Sequence, residues 1–204
     1  MKPRLFSEKS SALSQHALLG LALWCLALSA HAHPGHIDGM GTVSGFMHPL
    51  TGLDHMLAML AVGVYAAQCG GRARWLAPLL FLGGMAAGGI AGYLQWALPQ
   101  VEAGIAASVL VLGLMVVVGR RMPALPAYVL ITGFALCHGY AHGVEAPGGS
   151  AFELYCAGFI ASCVMLQAIG FGAARLLGAH HAFWMRCGGA LVAATGLIML
   201  VRLA

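Results

Sequence analysis

Two short stretches hold most of the residues able to do chemistry in an otherwise apolar chain. They are His48-Pro49-Leu50-Thr51-Gly52-Leu53-Asp54-His55 and Cys137-His138-Gly139-Tyr140-Ala141-His142-Gly143-Val144-Glu145. In the first, a continuous helix would put His48 and His55, seven residues and about two turns apart, on one face, with Asp54 about a quarter-turn from His55. Pro49 suits a first turn or a kink, because it lacks the backbone donor that a helix interior needs. In the second, His138, His142 and Glu145 follow i, i+4, i+7 spacing and line one stripe. Together the stretches offer four imidazoles and two carboxylates. Such a set suits a borderline divalent cation such as nickel, cobalt or zinc, and suits magnesium or calcium poorly, because those ions prefer all-oxygen shells. The plainer alternative is that each histidine is a hydrogen-bonding contact between helices. Against it stands the expense of ionisable groups in a membrane, which marks two spaced groups as a functional interior.

The elements that must carry these residues follow from composition. Of 204 residues, 60% are hydrophobic and 8% charged, and the mean hydropathy is +0.86. A soluble domain so composed would expose large apolar patches, so the chain belongs in a lipid bilayer. The net charge of +4 comes from cations scattered singly or in pairs, which read as topology signals and not as a nucleic-acid surface. Six cysteines form no CxxC pair; most read as small buried side chains, with Cys137 open as a thiol ligand because it adjoins His138.

At the start, Lys2, Arg4 and Lys9 precede an apolar run from Ala17 to Leu28 and the small-x-small pattern Ala30-His31-Ala32. This predicts a cleaved signal peptide over residues 1–32, with an uncleaved anchor helix as the alternative. A periplasmic histidine-containing segment follows over 33–43, then a membrane domain over 44–204. Apolar stretches from Ser44 to Gln68, Trp75 to Gln95, Glu102 to Val118, Pro126 to Val144, Phe152 to Leu177 and Phe183 to Val201 predict six transmembrane helices separated by breaks carrying Gly, Pro or Arg. With both termini periplasmic, Arg72, Arg74, Arg120, Arg121, Arg175 and Arg186 fall on the cytoplasmic side and Arg202 is the one exception. The expected fold is an all-α, multi-pass bundle in the bacterial inner membrane. On the second helix Gly84, Gly88 and Gly92 stand four apart, which predicts close helix approach. The first helix runs inward and the fourth outward, so the two motifs can meet in the outer half of the bilayer, His48 shallow and Asp54 with His55 near the midplane. His33, His36 and Asp38, beside the new amine, form a candidate capture cluster for metal, with a flexible polar leader remnant as the alternative. His180 and His181, in an inner connection, read as a solvated loop.

At its two motifs the chain resembles the HupE/UreJ family of nickel and cobalt permeases, membrane proteins linked to hydrogenase and urease maturation. The family's first motif, a His, five residues, then Asp-His, is matched by His48, Asp54 and His55. The second, of the form FHGxAHGxE, is matched by His138, Gly139, Ala141, His142, Gly143 and Glu145, with Cys137 where Phe is usual and Tyr140 in a variable place that often carries another His. The resemblance covers essentially the whole mature chain. It implies a permease with His48, Asp54, His55, His138, His142 and Glu145 as metal-contacting residues, nickel or cobalt as cargo, no resident cofactor, and a functional link to metalloenzyme maturation proteins.

The function expected is therefore transport and not catalysis. The partners are a divalent metal ion and the lipid bilayer, with no nucleic acid and with a second copy of the chain left open. Uptake should fall as pH drops through the histidine range near about 6.5, because only neutral imidazole binds metal. No GxxxxGK[ST] sequence is present, so nucleotide hydrolysis is not expected of this chain. The alternative is an intramembrane zinc-dependent hydrolase, in which three ligands hold the metal and Asp54 or Glu145 activates water.

Overall fold

The computed structural model of the protein describes residues 41–119, 122–146, 151–177 and 182–204. The predicted leader, His33, His36, Asp38, His180 and His181 lie outside the described residues. Among those described, every regular element is a helix: α1 Thr42–Thr51, α2 Leu53–Cys69, α3 Ala73–Tyr93, α4 Val101–Val118, α5 Ala124–Glu145, α6 Ala151–Leu177 and α7 Ala182–Leu203. The helices from α3 to α7 are each long and apolar enough to cross a membrane, and α1 with α2 pass the same test only as a pair. Trp75, Leu79, Leu125, Val129, Leu191 and Val201 stand exposed on the outside of the bundle. An apolar exterior of this kind is what hydrocarbon solvates and water does not. Over the described residues the protein is all-helical, and it is a multi-pass membrane protein.

The continuous first helix expected from Ser44 to Gln68 is not formed. The chain bends by 87° between α1 and α2. Pro49 has no N–H, so the Gly45 carbonyl loses its helical partner in the last turn of α1. Gly52 then leaves helical geometry, with φ −90° and ψ 114°. Local side chains take over where the ladder stops: Thr51 Oγ1 donates to the His48 carbonyl at 2.8 Å, and Asp54 Oδ1 accepts from the His55 N–H at 2.7 Å. The Met56 N–H donates to the Gly52 carbonyl and starts α2. His48 and His55 therefore do not share a face of one helix; they sit on either side of a break.

Beyond the break, α2 runs through the middle of the bundle. Its residues from His55 to Met59, Ala61 to Gly63, and Tyr65 and Ala66 are buried. A helix apolar on all sides is stable only when neighbours cover it, and α2 packs against α3, α4 and α6. It ends at Gly70, whose φ of 64° suits a residue without Cβ and whose N–H donates to the Ala66 carbonyl.

The remaining helices associate in pairs through glycine. A Cβ on Gly88 or Gly92 of α3 would strike the backbone carbonyl of Leu136 or Tyr140 on α5, and one on Gly139 or Gly143 of α5 would strike that of Met85 or Gly89 on α3. Backbone contact this close needs small residues on both surfaces. The predicted Gly84, Gly88 and Gly92 stripe is half of this joint, and Gly139 and Gly143 of the second histidine motif are the other half. The same device seats α1 on α6, where Gly45 lies against the Tyr155 carbonyl and Gly158 against that of Thr42. Gly63 of α2 lies against the Gln167 carbonyl of α6 in the same way, so α1 and α2 share α6 as a support and meet α5 at one point.

Candidate metal site

That point is a file of imidazoles. His48 Nε2 lies 2.9 Å from His142 Nδ1, and His142 Nε2 lies 3.1 Å from His55 Nδ1. The bend explains how a single ring meets both. His48 precedes it and His55 follows it, so the two approach His142 from separate elements, with ring centroids 4.8 and 4.7 Å from that of His142. The outer end of the file is Glu145, whose Oε2 is 3.1 Å from His48 Nε2. The inner end is Cys163 on α6, with Sγ 3.4 Å from His55 Nε2.

Exposure falls along this file. The Glu145 side chain is 60% exposed and that of His48 26%, whereas His55 retains 1% and Cys163 none. The i, i+4, i+7 stripe on α5 is intact because that helix is continuous to Glu145. His142 and Glu145 both face His48, while His138, one turn earlier, is 1% exposed and sits with its ring 5.5 Å from that of His55. The Asp54 carboxylate accepts from the His55 N–H in the first turn of α2 and lies within electrostatic reach of His138. All six residues singled out in the two motifs thus gather in one region.

A neutral imidazole has one N–H and one lone pair, which gives the file a polarity. The Glu145 carboxylate only accepts, so the His48 proton lies on Nε2, shared between Glu145 and His142 Nδ1. His142 Nε2–H then donates to His55 Nδ1, and His55 Nε2–H is directed at the Cys163 sulfur. Donor spacing also fits coordination. Two nitrogens bound at about 2.0–2.1 Å to one ion stand roughly 3 Å apart when they are neighbours in its shell. One ligand atom from each of His48, His142 and Glu145 lies within 4.8 Å of the others, so these three residues could close on a single cation with little movement.

Several contributors carry no sequence motif. Phe159 of α6 packs its ring 4.8 Å from His142 and 5.4 Å from His55, walling the file on its apolar side. The Tyr155 ring lies 5.8 Å from His48. Ser108 of α4 is fully buried, with Oγ 2.6 Å from His138 Nε2; a lone hydroxyl in an apolar helix was the only signal that could have found it. The thiol that meets the imidazoles is Cys163 and not Cys137. The Cys137 sulfur instead faces the Gly133 carbonyl at 3.9 Å and lies over Gly104 of α4.

The sequence profile described as HupE / UreJ protein matches residues 21–199, a span that includes both histidine motifs. Protein HupE of Rhizobium leguminosarum bv. viciae is 43% identical over 183 residues, covering 89% of this chain and 95% of that relative. No solved structure matches. With a matched span that reaches from before the first described helix almost to the end of the last, and a relative similar over nearly its whole length, the chain belongs to the HupE/UreJ family.

Proposed function

We propose that the protein is an inner-membrane permease for a divalent transition metal, nickel or cobalt, that supplies hydrogenase or urease maturation. The observation that carries this reading is the graded file from exposed Glu145 and His48, through His142, to buried His55. The cation gathers at the His48, His142 and Glu145 donors and exchanges part of its water for imidazole. It then passes to His55, with His138 and Asp54 beside it. Successive weak sites allow release as well as capture. The seven-helix arrangement is read as six crossings, with α1 and α2 forming one bent span, a cleaved leader ahead of it and both chain ends periplasmic. His33, His36 and Asp38 would concentrate metal outside the membrane.

The experiment that tests the reading is uptake of radiolabelled nickel into proteoliposomes holding the purified protein, with unlabelled cobalt as competitor. Saturable uptake that cobalt suppresses, and that His55→Ala and His142→Ala both abolish, is the expected result. Uptake unchanged in both variants removes these rings from the path.

A further inference from the structure

His138 differs from the other three rings. His48, His142 and His55 bond to one another, whereas the hydrogen-bond partner of His138 is a hydroxyl from another helix. Ser108, the only hydroxyl residue between Val101 and Val118, is fully buried. Its Oγ lies 2.6 Å from the Ile105 carbonyl oxygen and 2.6 Å from His138 Nε2. A hydroxyl has one proton, and a carbonyl oxygen has none to give. The serine proton is therefore directed to Ile105, so the hydrogen in the second contact comes from the ring.

We propose that Ser108 is a positioning residue that holds His138 with its proton on Nε2, leaving Nδ1 as the atom presented to the transported cation. The inference rests on the permease reading and assigns which atom of His138 serves it. A hydrogen bond at the far ring nitrogen fixes both the tautomer and the ring orientation of a metal-binding histidine, and makes the binding nitrogen more basic. Ser108 is itself held, because its proton is committed to a carbonyl of its own helix and the side chain has no exposed surface. His138 thus stays oriented while a cation displaces the hydrogen bonds that join His48, His142 and His55. The ring is then a fixed post beside a file that must rearrange, with the His55 ring 5.5 Å away.

The test uses the full chain in lipid nanodiscs, labelled with ¹⁵N and ¹³C histidine. Magnetic resonance distinguishes the two neutral tautomers by ring nitrogen and carbon shifts, and the His138 signals are assigned by their loss in His138→Ala. Nickel binding is measured by titration on the same samples. The expected result is an Nε2–H tautomer for His138 in the unaltered chain. In Ser108→Ala that signature is lost and nickel affinity falls about ten- to a hundredfold, with the helical circular dichroism unchanged. Ser108→Thr, which keeps the hydroxyl, restores the tautomer. An Nδ1–H tautomer in the unaltered chain, or a Ser108→Ala chain with unchanged tautomer and affinity, overturns the proposal. An unaltered chain that binds no nickel but shows the Nε2–H signature overturns the permease reading instead, so the two failures are distinct.

Discussion

His142 and His55, on helices joined by no local contact in sequence, face each other with 3.1 Å between Nε2 and Nδ1. The other nitrogen of His142 meets His48 at 2.9 Å. One ring of the second motif therefore joins both histidines of the first, across the break that separates them. The consequences of this arrangement can be measured one by one.

Glu145 is the most exposed donor and, among the described residues, the carboxylate paired with an imidazole of the file. Glu145→Gln keeps its size and removes its charge. The expected outcome is a several-fold rise in the nickel concentration giving half-maximal uptake, with little change in the maximal rate. The effect should shrink as ionic strength rises, because an exposed charge is screened by salt. A collapse of the maximal rate, with unchanged half-saturation, would place Glu145 deeper in the path than its exposure indicates.

The glycine joint between α3 and α5 sets the position of His138 and His142. Gly88→Val forces a side chain onto the Leu136 carbonyl; overpacking of this kind costs about 1–3 kcal/mol. A lowered thermal midpoint together with lost nickel uptake is expected. Gly83→Ala, on the same helix but facing open space, is expected to unfold at or slightly above the unaltered temperature, since Ala favours helix over Gly. Equal effects of the two substitutions would contradict the joint.

Cys163 has no exposed surface and its sulfur lies 3.4 Å from His55 Nε2. Cys163→Ala removes that partner and leaves a small void, so uptake should slow several-fold without being abolished. Cys163→Ser, which keeps an acceptor for the His55 N–H, should recover most of the rate. Cys137→Ala, at a residue whose sulfur faces the Gly133 carbonyl and Gly104 instead of the imidazole file, should leave nickel affinity unchanged. Initial uptake rates of the three variants in proteoliposomes check this.

Metal competes with protons for imidazole. The sign is fixed: a protonated ring has no lone pair for the ion, so acidification inhibits. Initial nickel uptake is expected to decline as the outer pH falls through the range in which imidazoles take up protons. A rate that stays flat between about pH 5 and 8 contradicts an imidazole-lined path.

What the sequence showed and what it hid divide along a physical line. His138, His142 and Glu145 were legible because helical periodicity holds wherever a helix is unbroken, and α5 is unbroken through Glu145. The Gly84, Gly88 and Gly92 stripe was legible for the same reason. Around Pro49 and Gly52 the residue types were informative but the geometry was not. Both are common in membrane helices, and their types alone do not fix whether the chain kinks or turns by 87°. The expected two-turn alignment of His48 with His55 failed there, although the two rings still converge on His142. Ser108 and Cys163 were hidden because their partners are 30 and 108 residues away. Cys137 misled because it is adjacent to His138 in the chain, and adjacent residues on a helix point in different directions.

The account stands on one ion being held jointly by residues of both motifs. Nickel-edge X-ray absorption on the loaded protein in lipid, compared with His48→Ala and His142→Ala, measures this most directly. The predicted spectrum contains backscattering from more than one imidazole, and each substitution lowers that count and weakens binding. A nickel shell of oxygen alone, or a spectrum that neither substitution changes, would contradict it.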